Sequence, residues 1–416
     1  MKKPVSREYT NLSEKKCHVI CVCSGIGFPH GLAPSKRILM IGKSVTEGGV
    51  AFAVLHIGGS PTDSNTIAEG TFEGIPFEYL PGTCKKAKNR FLRVCQYLLG
   101  IVMAMFRIVL LARSSGRLCA YVFMGPGLFE SVFCVFLRLS RIPFVHEINE
   151  WWPGDDNASK IAQWFRGGPC LSLSKGTIAI SRHIEDRLRV LAEHKNIANN
   201  ILRIPILVDP TKAVNNEGSR TEFKAGFPYL LWCGDIKGYM KDVYFMINVL
   251  SEVLNRGVDC RLVLVGTISP ATEKSIRTFM KEHVVQDDWV ILTGYVSDDV
   301  LYALMRQSQA LLLPLWDDDR SAMRLPTKLG DYLLSARPVI SCEIGDLRTF
   351  IVDEESAFLC SRTDKSLFAD KICRVINDPC GANKVGQAGK CQAINILDYR
   401  RYSNVLSHLF TENMSC

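Results

Sequence analysis

The sequence predicts an α/β chain built from two doubly wound, Rossmann-like domains facing across a cleft. Three observations carry this. A short apolar run, a glycine-rich turn, a periodic helix and a second apolar run follow one another near the start. A second alternating series begins at Tyr229, and a polar stretch, Asp209 to Phe227, separates the two. The 416 residues suit two or three domains, and 47% hydrophobic with 22% charged residues excludes disordered and fibrous classes.

In the first series, His18–Cys23 is a strand and Ser24 to Gly31 a glycine turn. Pro34–Glu47 is helical, Gly48-Gly49 ends it, and Val50–Ile57 is the next strand: a βαβ unit. Further strands are expected at Leu118–Phe123, Pro143–His146 and Gly176–Ile180, with helices near 84–112, 127–140, 157–166 and 181–194. In the second series, strands are expected at Tyr229–Cys233, Cys260–Val265, Val290–Leu292, Ala310–Pro314 and Pro338–Ser341. Helices at Val243–Asn255, Ala271–His283, Asp298–Gln307 and Lys328–Leu334 lie between them. In sheets of this kind ligands bind beyond the carboxyl ends of the strands, so residues just after each strand matter most.

Sixteen cysteines are scattered through apolar runs, which suits buried thiols in a reducing compartment rather than a disulfide scaffold. The N-terminus is polar with no secretory h-region, and a cytoplasmic chain is expected. The net charge of +8 is uneven, with 26 lysines and arginines against 15 acids through Ile206. No acid occurs between Glu78 and Glu130, while Lys85, Lys86, Lys88, Arg90, Arg93, Arg107, Arg113 and Arg117 supply eight bases. A basic head followed by an apolar helix reads as attachment of residues 85–117 to an anionic membrane surface; the plainer alternative is a core helix with basic ends. The charge-free run Val94–Phe106 is short for a span, and extending it buries Arg107, so a peripheral position is expected. No nucleic-acid motif accompanies the patch, and no nucleic-acid partner is expected.

Gly25-x-Gly27-x-x-x-Gly31 lets backbone N–H groups approach a diphosphate, although any tight turn needs glycine too. The strand that follows ends without the acid that holds ribose in dinucleotide sites. His146-Glu147-Ile-Asn-Glu150 lacks the second histidine of a zinc-protease helix, and Pro143 and Pro153 bracket it too tightly. What remains is a strand-end cluster, His146, Glu147 and Glu150 with Trp151 and Trp152, suited to orienting a hydroxyl nucleophile or receiving its proton. Gly234 to Asp242 follows a strand and opens a helix, placing Lys241 for a diphosphate. Arg324, Thr327 and Lys328 enter the next helix as an anion site, with Asp331 a turn deeper at ribose depth. The three acids Asp317 to Asp319 read as a solvated turn. No metal-ligand set is evident, and neither a metal nor another cofactor is expected.

The order of the glycine-rich first turn, Gly234 to Lys241, Gly294-Tyr-Val, Arg324-Leu-Pro-Thr-Lys-Leu-Gly-Asp-Tyr-Leu and Arg337-Pro-Val-Ile-Ser-Cys resembles the GT-B glycosyltransferases, specifically the family-four retaining enzymes that use nucleotide-sugars. The likeness is strong over 229–360 and loose before it, and Ile201 to Asp209 resembles the family's domain junction. The resemblance implies an acceptor domain at 1–207, a nucleotide-sugar domain at 208–392, and a helical segment at 393–416 crossing back. It implies that Lys241 contacts the donor diphosphate, Gly294 lies beside the base, and Asp331 holds ribose. His146 and Glu147 fall near the acceptor-side group. Two departures stand out: Met323 replaces the usual first glutamate, and Asp235 the arginine after Gly234. The implied function is metal-independent, retaining transfer of a sugar to a glycan or lipid-linked acceptor in cell-surface polysaccharide synthesis. A non-catalytic GT-B protein that binds a nucleotide-sugar or glycan is the alternative.

Overall fold

The computed structural model describes residues 17–114, 116–124, 127–150, 169–212, 226–412 and 414. The chain divides into two units, one from the N-terminus to Leu207 joined by Tyr399–Cys416, the other Val208–Asp398. The helix expected at 157–166, with Trp151 and Trp152, lies outside the described residues.

The first unit holds an eight-stranded sheet: β1 Cys17–Ser24, β2 Ala51–Ile57, β3 Glu69–Phe72, β4 Ile75–Leu80, β5 Arg117–Phe123, β6 Phe144–Ile148, β7 Gly176–Ala179 and β8 Asn200–Arg203. Its order is β3-β4-β2-β1-β5-β6-β7-β8. All pairs are parallel except β3–β4, a hairpin the sequence reading did not mark. Its turn is Glu73-Gly74, both at positive φ, as a two-residue hairpin requires.

A parallel sheet must bury both faces, and strand alternation divides the core accordingly. Val19, Cys21 and Cys23 of β1 face one core with Tyr121, Val145 and the helix Ala33–Glu47. Ile20 and Val22 face the other, with Ile101, Phe133, Cys134, Phe144 and Cys170. Each valine, isoleucine or phenylalanine among them contributes about 1.5–3 kcal/mol when fully buried. All fifteen described cysteines are free.

The basic, apolar stretch forms the helix Arg90–Ser114, beginning six residues after the expected start. Only Gly100, Ile101, Ala104 and Ile108 are buried, a narrow stripe against the sheet. Arg107 pairs with Glu78 at 3.1 Å. Phe91, Val94, Leu98, Val102 and Phe106 stay exposed, as do Leu128, Val132 and Leu139 of the neighbouring helix Leu128–Leu139. Contrary to the sequence reading, this 25-residue helix is long and apolar enough to cross a membrane by length and composition.

The second unit holds β9 Tyr229–Cys233, β10 Arg261–Val265, β11 Val290–Gly294, β12 Ala310–Leu313, β13 Val339–Cys342 and β14 Phe358–Cys360 in the order β11-β10-β9-β12-β13-β14. Every pair is parallel. The order reverses between β9 and β12, the switch point at which doubly wound sheets bind nucleotides.

The expected crossing segment at 393–416 begins later. The helix Pro379–Leu397 runs through 393, and the chain rejoins the first unit at Tyr399. From there the helix Ser403–Glu412 buries Leu406, Leu409 and Phe410 in that unit's core. The Ser44 hydroxyl donates to the Tyr399 carbonyl at 2.7 Å.

Candidate functional site

In the second unit, three strand ends form one glycine edge. The Gly234 N–H donates to the Val265 carbonyl at 2.9 Å, and the Gly266 N–H to the Gly294 carbonyl at 3.0 Å. A Cβ at Gly266 would overlap the Gly234 carbonyl oxygen, so only glycine lets these two strand ends close. Gly294 has φ +72° with open space beside it.

Beyond this edge stand three cations. Lys241, in the first turn of the helix Met240–Asn255, lies 3.6 Å over the Trp316 ring just past β12. Lys328 opens the helix Lys328–Leu334, its ammonium 4.1 Å from the Trp232 ring centre and 5.3 Å from that of Tyr239. Arg324 lies over the same Tyr239 ring at 5.4 Å and donates to its hydroxyl at 3.2 Å. Among the described residues, none of the three has a carboxylate within ion-pair distance. All three act electrostatically on Asp242, which accepts from Trp316 Nε1 at 2.8 Å. Burial raises its pKa, against the Trp316 hydrogen bond and the opposing pull of Lys328, Arg324 and Lys241. Burial likewise lowers that of Lys328, with Arg324 adding to the effect while Cys233 and Asp242 oppose it. Aromatic faces thus hold the cations without neutralising them, which leaves their charge for an anion.

Asp331 accepts from the Tyr302 hydroxyl at 2.8 Å, which fixes its carboxylate. Thr327 precedes the same helix and is half-buried. Met323 is fully buried, so the position of the family's first acid serves packing here; Asp235 is exposed. The sequence reading missed Tyr239, Trp232, Trp316 and Tyr302. Their signal was slight: Trp232 and Trp316 lie at strand ends, but Tyr239 follows β9 in a short helical turn and Tyr302 lies within the helix Asp298–Gln307.

In the first unit, Gly25 and Gly27 lie in the loop after β1, with Gly25 at φ +70°. Five side chains brace that loop. Tyr79 donates to the Phe28 carbonyl at 2.7 Å, His56 bonds the Ile26 carbonyl, and Ser35 donates to that of Gly27. Asn65 receives the His30 N–H at 3.0 Å and returns a bond to its carbonyl, as does Thr62. Burial lowers the His56 pKa to about 4 against its two backbone bonds, so it braces the loop as a neutral ring.

The expected strand-end cluster is split. His146 and Glu147 are consecutive in β6 and project to opposite faces. Glu147, 5% exposed, pairs with Arg37 at 2.8 Å and accepts from Tyr121. Arg37 also donates to the carbonyls of Ile204, at 2.8 Å, and Pro205. His146, 3% exposed, meets Glu130 at 3.2 Å on the other face. Burial opposes its charge, but Glu130 in particular raises its pKa to about 9. Glu150 alone of the three is exposed.

The expectation that no metal is involved needs correcting. Glu130, His146 and Cys170 are all buried, and each offers one potential ligand atom within 4.8 Å of the others. Sequence spacing hid the group, because its members come from a helix, a strand and a second helix.

Together the two α/β sheets, parallel apart from the β3–β4 pair, define the GT-B fold of glycosyltransferases. Residues 227–378 match the family described as glycosyl transferases group 1, which includes the whole cation site. An alpha-D-kanosaminyltransferase from Streptomyces kanamyceticus is 23% identical over 190 residues, covering 44% of this chain and 46% of that protein. The chain therefore aligns with about half the length of that curated relative. Among solved structures, sucrose-phosphate synthase from Thermosynechococcus elongatus superposes with a TM-score of 0.71 at 14% identity, over 95% of this chain and 98% of that one. The Anabaena HepE protein, solved with UDP-glucose, gives 0.65 at 12% identity over 94% and 99%. At these identities the structural likenesses establish the fold.

Proposed function

We propose that the chain is a glycosyltransferase that moves a sugar from a nucleotide-sugar to a glycan or lipid-linked glycan, with retention, in cell-surface polysaccharide synthesis. The observation that carries this is the trio Lys241, Arg324 and Lys328. At the switch point of the second sheet all three act on Asp242 electrostatically, yet none has a carboxylate within ion-pair distance among the described residues. As the bond from the anomeric carbon to the phosphate oxygen breaks, the leaving diphosphate takes the electron pair, and these cations stabilise the growing charge. Asp331, held by Tyr302, accepts from ribose hydroxyls, and the edge of Gly234, Gly266 and Gly294 admits the nucleotide. In the first unit, the exposed Glu150 receives the acceptor proton, while the buried His146 and Glu147 position the wall behind it.

The exposed apolar face of Arg90–Ser114, with the basic head at Lys85, Lys86 and Lys88, supports a place on the cytoplasmic surface of an anionic membrane. A second reading, a non-catalytic binding protein, is favoured by the buried Met323 and by Asp235. The two are separated by incubating purified protein with UDP-, GDP-, ADP- and CMP-sugars, with and without lipid extract from the source organism. Transfer requires release of nucleoside diphosphate that depends on the extract. Binding without any release, together with full complementation by Lys241→Ala, establishes the non-catalytic reading instead.

A further inference from the structure

The first unit contains a polar cluster that the donor chemistry does not use. Glu130 lies in the first turn of the helix Leu128–Leu139, and Cys134 one turn later on the same face. His146 projects from β6 and Cys170 from the short helix Pro169–Leu173. None of the four side chains is exposed. Potential ligand atoms of Glu130, His146 and Cys170 lie within 4.8 Å of one another, and Cys134 Sγ is 3.3 Å from Cys170 Sγ.

A histidine–glutamate ion pair does not account for the whole group. It engages one imidazole nitrogen only; among the described residues, His146 Nδ1 is buried with no hydrogen-bond partner, a costly arrangement in an apolar core. Nor does packing call for two thiols to converge on that pair. A sulfur, an imidazole nitrogen and a carboxylate oxygen form a mixed donor set that suits zinc, softer than magnesium or calcium would choose.

We propose that Glu130, His146 and Cys170 form a structural zinc site inside the first unit, with the Cys134 thiol packed against Cys170. All three ligands are buried, which fits an ion that serves structure rather than substrate. It ties β6 to two helices whose cysteines are 36 residues apart. On binding, the Cys170 thiol proton and any imidazolium proton pass to solvent, and the ion takes their place among the ligands. The site stands independently of which donor, if any, the second unit binds.

The test is metal content and cobalt spectroscopy on the full chain. Protein purified with zinc and dialysed into metal-free buffer should retain one zinc ion per chain by plasma mass spectrometry. Replacing it with cobalt should produce a thiolate-to-cobalt band in the near ultraviolet. Cys170→Ser should abolish that band, and Glu130→Gln should release the metal to a chelator that wild type resists. Folded wild type that holds no zinc and develops no band on cobalt addition overturns the proposal. So does a zinc content and band unchanged in Cys170→Ser and Glu130→Gln, which would mean binding at the surface. Should Cys170→Ser fail to fold, cobalt titration of wild type and of Glu130→Gln decides the matter.

Discussion

Glu147 and Arg37, 110 residues apart in sequence, form a fully buried ion pair 2.8 Å long beneath the first sheet. Arg37 extends the pair to the carbonyls of Ile204 and Pro205, at the end of the first unit's main segment. The carboxylate that sequence position suggested for chemistry is thereby committed to joining β6, the helix Ala33–Glu47 and the strand-end segment after β8.

Arg37→Met should therefore destabilise the first unit by about 3–5 kcal/mol, the usual result of stranding one buried charge. Adding Glu147→Gln should restore part of the loss. Urea unfolding followed by a probe in the first unit measures both. A Glu147→Gln variant of normal stability but greatly reduced turnover would instead make this carboxylate catalytic.

His56 gives the first unit an acid limit. The unfolded chain takes up a proton on this histidine near 6.5, whereas the folded chain does so only at about 4. The unfolded state therefore binds more protons between these values. Stability is full above pH 6.5 and falls as pH drops towards 4, by about 3 kcal/mol in all. His56→Gln should flatten this slope in denaturation curves collected from pH 7 to 4. An unchanged slope would assign it to other groups.

Gly266→Ala should separate the ends of β9 and β10, because its Cβ overlaps the Gly234 carbonyl. Nucleotide affinity should fall at least tenfold, with a smaller loss of stability. Retained affinity in calorimetry would show that the glycine edge does not shape the donor site.

Membrane attachment should depend on charge and on the apolar face separately. Neutralising Lys85, Lys86 and Lys88 to glutamine removes about 1 kcal/mol each, so binding to anionic vesicles should weaken on the order of 100-fold. Phe91→Glu with Phe106→Glu should abolish flotation even at low salt. Equal binding to neutral and anionic vesicles would contradict the electrostatic part.

Sequence periodicity disclosed most of the sheet because β1, β5, β9 and β12 are continuous apolar runs, buried on both faces. The β3–β4 hairpin was hidden by its polar, exposed outer strand, and β14 by its three-residue length. In the site, Lys241, Arg324 and Lys328 were legible because charged residues after a strand are conspicuous. Their aromatic supports were not, since Trp232 and Tyr239 read as ordinary core or loop residues until the fold places them under the cations. Residues 146–147 failed for another reason: adjacency in a strand means opposite faces, so neighbours in sequence became strangers in space. Glu130 and Cys170 joined His146 through tertiary packing, which spacing along the chain does not encode.

The central claim is that Lys241, Arg324 and Lys328 hold a donor diphosphate. Calorimetric titration of wild type, Arg324→Gln and Lys328→Met with UDP, GDP, ADP and CMP tests it directly. One nucleotide should bind wild type, and each folded variant should bind it about 10- to 100-fold more weakly, as expected for loss of a charge-assisted hydrogen bond. Unchanged affinity in both variants, or no binding of any nucleotide or its sugar conjugate by folded wild type, would contradict the account.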